Sequence, residues 1–282
     1  MILVFGKTGQ VAREIARADP AALCAGRERV DLIDPRACHD LILQMQPAAV
    51  INAAAHTAVD RAEGEADLAH TINAEAPAAM ARACAALGVP LVQISTDYVF
   101  DGAGSAPFAP DHPPAPLGVY GRTKLKGEDG VRAAGGVHAI LRTSWVFSAH
   151  GSNFVRTMLR LGAERDSLRV VADQIGGPTP ASAIARACLT IAQALRDDPR
   201  ASGTYHFSGA PDVSWADFAR AIMAQAGLDC RIIDIPTTDY PTPARRPLNS
   251  RLDCAGLARL GLQRPEWQPA LAQVIRELKE AT

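Results

Sequence analysis

The sequence predicts an α/β protein in which a doubly wound parallel sheet carries a smaller C-terminal α/β lobe. Three observations predict it. Short apolar runs alternate with Ala-rich amphipathic stretches through the N-terminal half, as expected of β-α-β units whose strands are buried on both faces. A glycine-containing turn, Gly6-Lys7-Thr8-Gly9, follows the first apolar run directly and opens a helical pattern. Prolines and glycines concentrate in the second half, at Gly176-Gly177-Pro178 and between residues 240 and 247, which marks a change to shorter elements.

Taken in order, residues 2–5 are the first strand, and a helix over 9–18 stops at Asp19-Pro20. The second strand lies near 23–27. Runs 48–54 and 90–96 are too short for helices. Each follows a helical pattern that ends in Gln46-Pro47 or Leu87-Gly88, so both read as buried strands. A helix beginning near Tyr120 ends before Gly135-Gly136, and 138–146 (HAILRTSWV) reads as one further strand. In the second half, strands are predicted at 168–172, 203–207 and 230–235, with helices at 181–196, 214–226 and 269–280. Ser214 with Asp217 three residues on is a variant capping box. No tandem repeat or low-complexity linker separates the halves. The expectation is a Rossmann domain over 1–150 and a smaller substrate-binding lobe over 151–282, interleaved with the first.

A chain of 282 residues with 48 % hydrophobic and 21 % charged residues can bury an ample core. Lys plus Arg (29) against Asp plus Glu (30) leaves a net charge of -1, without the basic excess of a nucleic-acid or anionic-membrane binder. The six cysteines form no C-x-x-C pair and no zinc-ligand spacing, which predicts reduced thiols and no structural metal. The first apolar run ends at Gly6 after too few residues for a signal peptide or a membrane span, so a cytoplasmic protein is expected.

In Gly6-Lys7-Thr8-Gly9-Gln10-Val11-Ala12, the glycines let the backbone turn tightly and bring its N–H groups to a pyrophosphate at the positive end of the helix. Ala12 is small enough for close helix-to-strand packing. Alone the pattern is weak, since an ordinary strand-to-helix turn looks similar; its place at the first strand gives it weight. Past the second strand the chain reads Cys24-Ala25-Gly26-Arg27-Glu28-Arg29. Arg27 and Arg29 favour the 2′-phosphate of NADPH, whereas Glu28 in the opposite role would favour NADH, and solvated surface charge is an equal alternative.

Tyr120 and Lys124 stand four apart, on one face of a helix. An ammonium there can lower the phenol pKa and reach a cofactor ribose, leaving the phenol to protonate an alkoxide. Ser95-Thr96-Asp97 ends a buried strand at the edge where open α/β sheets bind ligands, and its hydroxyl can hydrogen-bond the same oxygen. The competing reading is an exposed Tyr and Lys on a solvated helix face.

The runs Asn52-Ala53-Ala54-Ala55-His56-Thr57-Ala58-Val59-Asp60, Ser95-Thr96-Asp97-Tyr98-Val99-Phe100-Asp101-Gly102, Arg142-Thr143-Ser144-Trp145-Val146-Phe147 and Arg246-Pro247-Leu248-Asn249-Ser250-Arg251-Leu252 together resemble the dTDP-4-dehydrorhamnose reductases, extended short-chain reductases, from residue 2 to about 260. The resemblance implies NAD(P)H-dependent reduction of a dTDP-linked 4-keto sugar. It implies Thr96, Tyr120 and Lys124 as catalytic residues, with Thr96 and Asp97 on the sugar. Gly6, Gly9, Gln10 and Val11 would lie at the pyrophosphate, Asp31 and Leu32 on the adenine side, and Ala54, Ala55, His56 and Thr57 beside the cofactor. Trp145 would contact substrate, although a Trp after an apolar strand is more often core. Asn153 and Arg246 would serve the diphosphate or thymine, loop charge being the alternative. The third glycine common in such fingerprints is Ala12 here. Some such reductases are described as holding Mg2+ at a dimer contact; no acidic cluster here demands a metal, and a homodimer is the assembly suggested. Two other readings share these motifs: a non-catalytic NADP-binding regulatory subunit, as in the methionine adenosyltransferase β subunit, and a sugar-nucleotide epimerase or dehydratase, for which Asp97 lacks a neighbouring second carboxylate.

Overall fold

The computed structural model describes residues 1–280. The chain runs β1 (Ile2–Phe5), α1 (Gln10–Ala18), β2 (Leu23–Ala25), α2 (Pro35–Met45), β3 (Ala49–Asn52), α3 (Val59–Ala62) and α4 (Ala66–His70). A π-helical turn, Thr71–Glu75, leads into α5 (Ala76–Leu87). Then come β4 (Leu91–Thr96), α6 (Val119–Ala133), β5 (His138–Thr143) and β6 (Val146–Phe147). The remainder is α7 (Phe154–Glu164), β7 (Ser167–Val171), β8 (Ile175–Gly176), β9 (Thr179–Pro180), α8 (Ala181–Asp197), β10 (Gly203–His206), β11 (Val213–Ser214), α9 (Trp215–Ala226), β12 (Arg231–Ile235), β13 (Asn249–Ser250) and α10 (Trp267–Glu280).

Six parallel strands form the main sheet in the order β10-β5-β4-β3-β1-β2. Strand order reverses between β1 and β3, so a crevice opens beyond the carboxyl ends of those two strands, where doubly wound sheets take ligands. Leu3, Val50 and Ile140 face one layer, with Ile42 of α2 and Met80 of α5; Val4, Ile51 and Leu141 face the other, with Ile15 of α1 and Ile184 of α8. The sheet is buried on both faces, which is why its strands read as continuous apolar runs. The edge strand β10 comes from the second half of the chain. Helix α8 packs on the main sheet as well, while α7, β7, α9, β12 and α10 enclose a second core around Met158, Leu168, Phe218, Ile232 and Trp267.

Most predicted elements appear within two residues of their expected bounds. Ser214 caps α9 by accepting from the Asp217 N–H at 2.9 Å. One expectation is corrected: the run 138–146 is not one strand. β5 stops at Thr143, and Trp145 adopts φ 48°, a left-handed conformation rare for a bulky residue, which turns the chain out of the sheet and into a separate pairing of β6 with β9. Helix α7 and the π-helical turn were not anticipated.

Candidate active site

The turn from Gly6 to Gly9 is built by backbone. Gly6 has φ +116°, and a Cβ there would press on Ala12 Cβ and on Ala53 C and O at 3.4 Å. Gly9 is the N-cap of α1 and supplies no side-chain cap, so the first N–H groups of the helix have no side-chain acceptor. This is the donor set an anion needs. Across the crevice the Ala53 N–H donates to Phe5 O at 3.0 Å, and Asn52 Oδ1 accepts from the Ala54 N–H at 3.2 Å, which shapes the 53–57 loop. His56 Nε2 pairs with Glu65 Oε2 at 2.8 Å, while His56 Nδ1 is buried without a partner. An orphaned buried ring nitrogen fits a site that a polar ligand completes. Asp31 Oδ1 accepts from the Ile33 N–H and Leu32 is buried. Arg27 is exposed; Glu28 pairs with Lys7 at 2.6 Å.

The four residues at the sheet's edge do come together. Thr96, Asp97 and Lys124 are each 5 % exposed or less. Thr96 Oγ1 donates to Asp97 Oδ1 at 3.1 Å and accepts from the Tyr98 N–H at 3.2 Å. The Thr96 hydroxyl also acts on the Tyr120 phenol. Burial lifts that phenol above its ordinary range, an effect that Thr96 opposes and the Asp97 carboxylate reinforces. The expectation that Lys124 depresses the phenol is therefore corrected: the phenol is raised, chiefly by desolvation, and the ammonium donates instead to Ile94 O at 2.7 Å. Burial brings Lys124 itself down to about 8, with Glu128 acting in the opposite direction. Asp97 is pushed up to about 6 by desolvation, against hydrogen bonds from Ser250 and Thr96, and its Oδ2 has no partner.

Close approach fixes α6. A Cβ on Gly121 would lie 2.1 Å from Tyr98 O, and one on Gly127 would lie 2.1 Å from Asn73 O. Asn73, in the π-helical turn, exchanges hydrogen bonds with the His56 backbone at 2.8 and 3.1 Å and donates to Thr123 Oγ1 at 3.1 Å, tying the 53–57 loop to α6. Beneath the site, Glu128 accepts from Ser95 Oγ at 2.6 Å, from Arg142 Nε and Nη2 at 2.9 and 2.6 Å, and from Arg132 Nη2 at 2.8 Å. Arg142 also holds Pro110 O and His206 Nε2, linking this cluster to the long loop after β4. Sequence reasoning missed Asn73, Glu128 and Arg142 as supports. Arg142 was detectable as a lone guanidinium within an apolar strand.

On the lobe side, Trp145 stacks on Trp215 with centroids 3.6 Å apart. A Cβ on Gly176 would meet Trp145 Cε2 at 2.8 Å and Ser250 Cβ at 3.0 Å, so Trp145 lies beside the Ser250 that acts on Asp97. Arg246 donates to Asp60 Oδ2 at 2.6 Å and to Tyr98 Oη at 3.3 Å, and the Tyr98 ring meets Tyr120 edge-on at 5.5 Å. Asn153 does not join this group. It caps α7 and donates to Gln10 Oε1 at 3.0 Å, at the dinucleotide turn. Among the described residues no group of three or more His, Cys, Asp or Glu side chains is placed to hold a metal ion, and no helix is long and apolar enough to cross a membrane.

The family model described as "RmlD substrate binding domain" matches residues 1–280. A dTDP-4-dehydrorhamnose reductase of Sinorhizobium fredii is 42 % identical over 284 residues, 97 % of this chain and 96 % of that protein. The crystal structure of a dTDP-4-dehydrorhamnose reductase from Clostridium acetobutylicum superposes with TM-score 0.92 at 37 % identity, covering 99 % of each chain. That of the Bacillus anthracis dTDP-4-dehydrorhamnose reductase, in complex with NADP, superposes with TM-score 0.91 at 33 % identity over 98 % of each chain. With a phenol, a hydroxyl and an ammonium gathered at the carboxyl edge of the sheet, and a chain matched along this length, the protein belongs to the RmlD family, that of the dTDP-4-dehydrorhamnose reductases.

Proposed function

We propose that the chain reduces the 4-keto group of dTDP-4-dehydro-6-deoxy-L-mannose (dTDP-6-deoxy-L-lyxo-4-hexulose) to give dTDP-L-rhamnose, with NADPH or NADH as reductant. The observation that carries this reading is the convergence of Thr96 and Tyr120 on one point beside Lys124, in a chain whose relatives over nearly its full length are dTDP-4-dehydrorhamnose reductases. When bound, the reduced nicotinamide supplies the hydride.

The chain's own residues orient the ketone and manage the proton. A phenol raised above its ordinary range is fully protonated at neutral pH and able to donate to the alkoxide that forms at C4. Thr96 polarises the same oxygen. Lys124, near 8, is largely cationic at neutral pH and serves the ribose and the developing negative charge. The unpartnered Asp97 Oδ2 is an acceptor for a sugar hydroxyl, and the Trp145 indole, braced by Trp215, offers a flat face to the base or the sugar. Gly6, Gly9, Gln10 and Val11 hold the pyrophosphate through backbone N–H groups, with Ala54, Ala55, His56 and Thr57 opposite, and Asp31 and Leu32 toward the adenine. Glu28 is neutralised by Lys7 and Arg27 has no side-chain partner among the described residues, which supports NADPH over NADH. Arg246 faces the nucleotide end. We further place the protein in the cytoplasm as a homodimer, to be checked by cell fractionation and light scattering. Relatives named as reductases and an intact Thr96, Tyr120 and Lys124 set leave the regulatory-subunit alternative without a supporting observation.

The test is to mix the protein with NADPH and the keto sugar and follow absorbance of the reduced cofactor. Stoichiometric consumption is expected. Tyr120→Phe lowers kcat by roughly 10²- to 10⁴-fold while leaving the NADPH Kd nearly unchanged. Binding without consumption by the unmodified protein, or an unimpaired Phe variant, overturns the assignment.

A further inference from the structure

Asn153 lies 143 residues from the dinucleotide turn in sequence, yet its amide sits on it. Nδ2 donates to Gln10 Oε1 at 3.0 Å, Ser148 O at 2.9 Å and His150 O at 3.2 Å, while Oδ1 accepts from the Arg156 N–H at 3.2 Å as the cap of α7. Two amide hydrogens shared among three acceptors leave no donor for a phosphate, and a carbonyl oxygen repels one. Asn153 is thus unsuited to the diphosphate contact expected from sequence.

The acceptor it does serve is the side chain of the first residue of α1. Gln10 Oε1 also accepts from Ser148 Oγ at 2.9 Å, and Gln10 Cγ lies 3.7 Å from where a Gly151 Cβ would stand. The contact extends along the helix. Glu14, 7 % exposed, has Oε1 3.1 Å from His150 Nε2, and Arg17 pairs with Glu277 of α10 at 2.9 Å. Positions 10, 14 and 17 follow the i, i+4, i+7 spacing of one helix face. This polar seam is separate from the apolar face of Val11, Ala12 and Ile15 that packs on the sheet. The apolar face holds α1 to the sheet without directional preference; directional hydrogen bonds at position 10 fix the rotation and depth of its uncapped end.

We propose that Asn153, with Ser148, is a positioning residue for the cofactor: segment 146–153, between β5 and α7, clamps Gln10 and presets the N–H groups of α1 that receive the pyrophosphate. The inference rests on the dinucleotide-binding reading of that turn, and its test therefore measures binding and not turnover. Asn153→Asp keeps the cap acceptor for Arg156 but replaces the donor facing Gln10 Oε1 with an oxygen. Gln10→Met keeps the length of the side chain, removes its amide and does not touch the cap. NADPH binding is followed by cofactor fluorescence, dTDP binding by calorimetry, and folding by thermal unfolding.

Each variant is expected to raise the NADPH Kd about tenfold, the scale of one or two lost hydrogen bonds, and to leave the dTDP Kd within about twofold. In the double variant the effects are less than additive, because both remove one contact. Equal NADPH affinity in either single variant overturns the proposal, as does full additivity or a loss of dTDP affinity with NADPH binding intact. If Asn153→Asp also lowers the melting temperature, Gln10→Met alone decides. Should the unmodified protein fail to bind NADPH, the cofactor reading falls first.

Discussion

Replacing Asp97 by Asn exposes the conflict between stability and binding at this site. Asp97 is 4 % exposed, its Oδ2 is unpartnered, and desolvation raises it from 3.8 to about 6. Because the folded-state value lies above the unfolded one, the folded chain holds the extra proton in the window between 3.8 and about 6. Stability from the protonated carboxyl is fully present below that window and is lost as pH rises through about 6. A displacement of about two units, at about 1.4 kcal/mol each, makes ionised Asp97 a burden on the order of 3 kcal/mol at neutral pH. Asn mimics the protonated form at every pH. Asp97→Asn is therefore expected to raise the melting temperature by roughly 5–10 °C at about pH 7.5, with the gap falling to about a third near pH 4.5. The same change weakens the acceptor offered to the sugar, so the KM for the keto sugar rises as stability improves. Thermal unfolding at the two pH values, paired with steady-state kinetics, checks both halves. A variant less stable at about pH 7.5, or a gap independent of pH, refutes the account of Asp97 as a buried carboxylate whose hydrogen bonds do not offset its desolvation.

Other consequences can be measured with equal directness. Lys124 loses its proton as pH rises through about 8, so kcat/KM falls on the alkaline side near that value, and a flat profile to about pH 10 would remove the ammonium from the chemistry. Arg142→Met strands the fully buried Glu128 carboxylate without its main partner and is expected to destabilise by about 3–5 kcal/mol in denaturant titration. Replacing Glu128 and Arg142 together by apolar residues recovers much of that loss. Gly121→Ala drives a methyl into Tyr98 O and displaces Tyr120, so turnover should collapse even where the protein still folds by circular dichroism.

The alternation of apolar runs and Ala-rich helices, the Gly6 turn and the Tyr120–Lys124 spacing are local signals, readable because strand and helix periods and φ preferences act over a few residues. They determined the doubly wound sheet, the Gly6 turn and the helix α6 that carries Tyr120 and Lys124. Where the chain leaves the sheet was not local. Trp145 ends β5 by taking a left-handed φ, at the place where it stacks on Trp215, seventy residues away, and packs against Gly176. Nor could the ionisation of the site be read in advance: a phenol four residues from an ammonium promises a lowered pKa, whereas in the folded chain burial raises it. Asn153 carries no sign in its neighbourhood that it meets Gln10, and Ser95, Glu128 and Arg142 converge from two strands and a helix. Sequence thus determined which backbone elements form and in what order, since those preferences are short-ranged. The tertiary structure alone decided which polar groups lose water and which distant partners compensate them, because both depend on contacts between residues far apart in the chain.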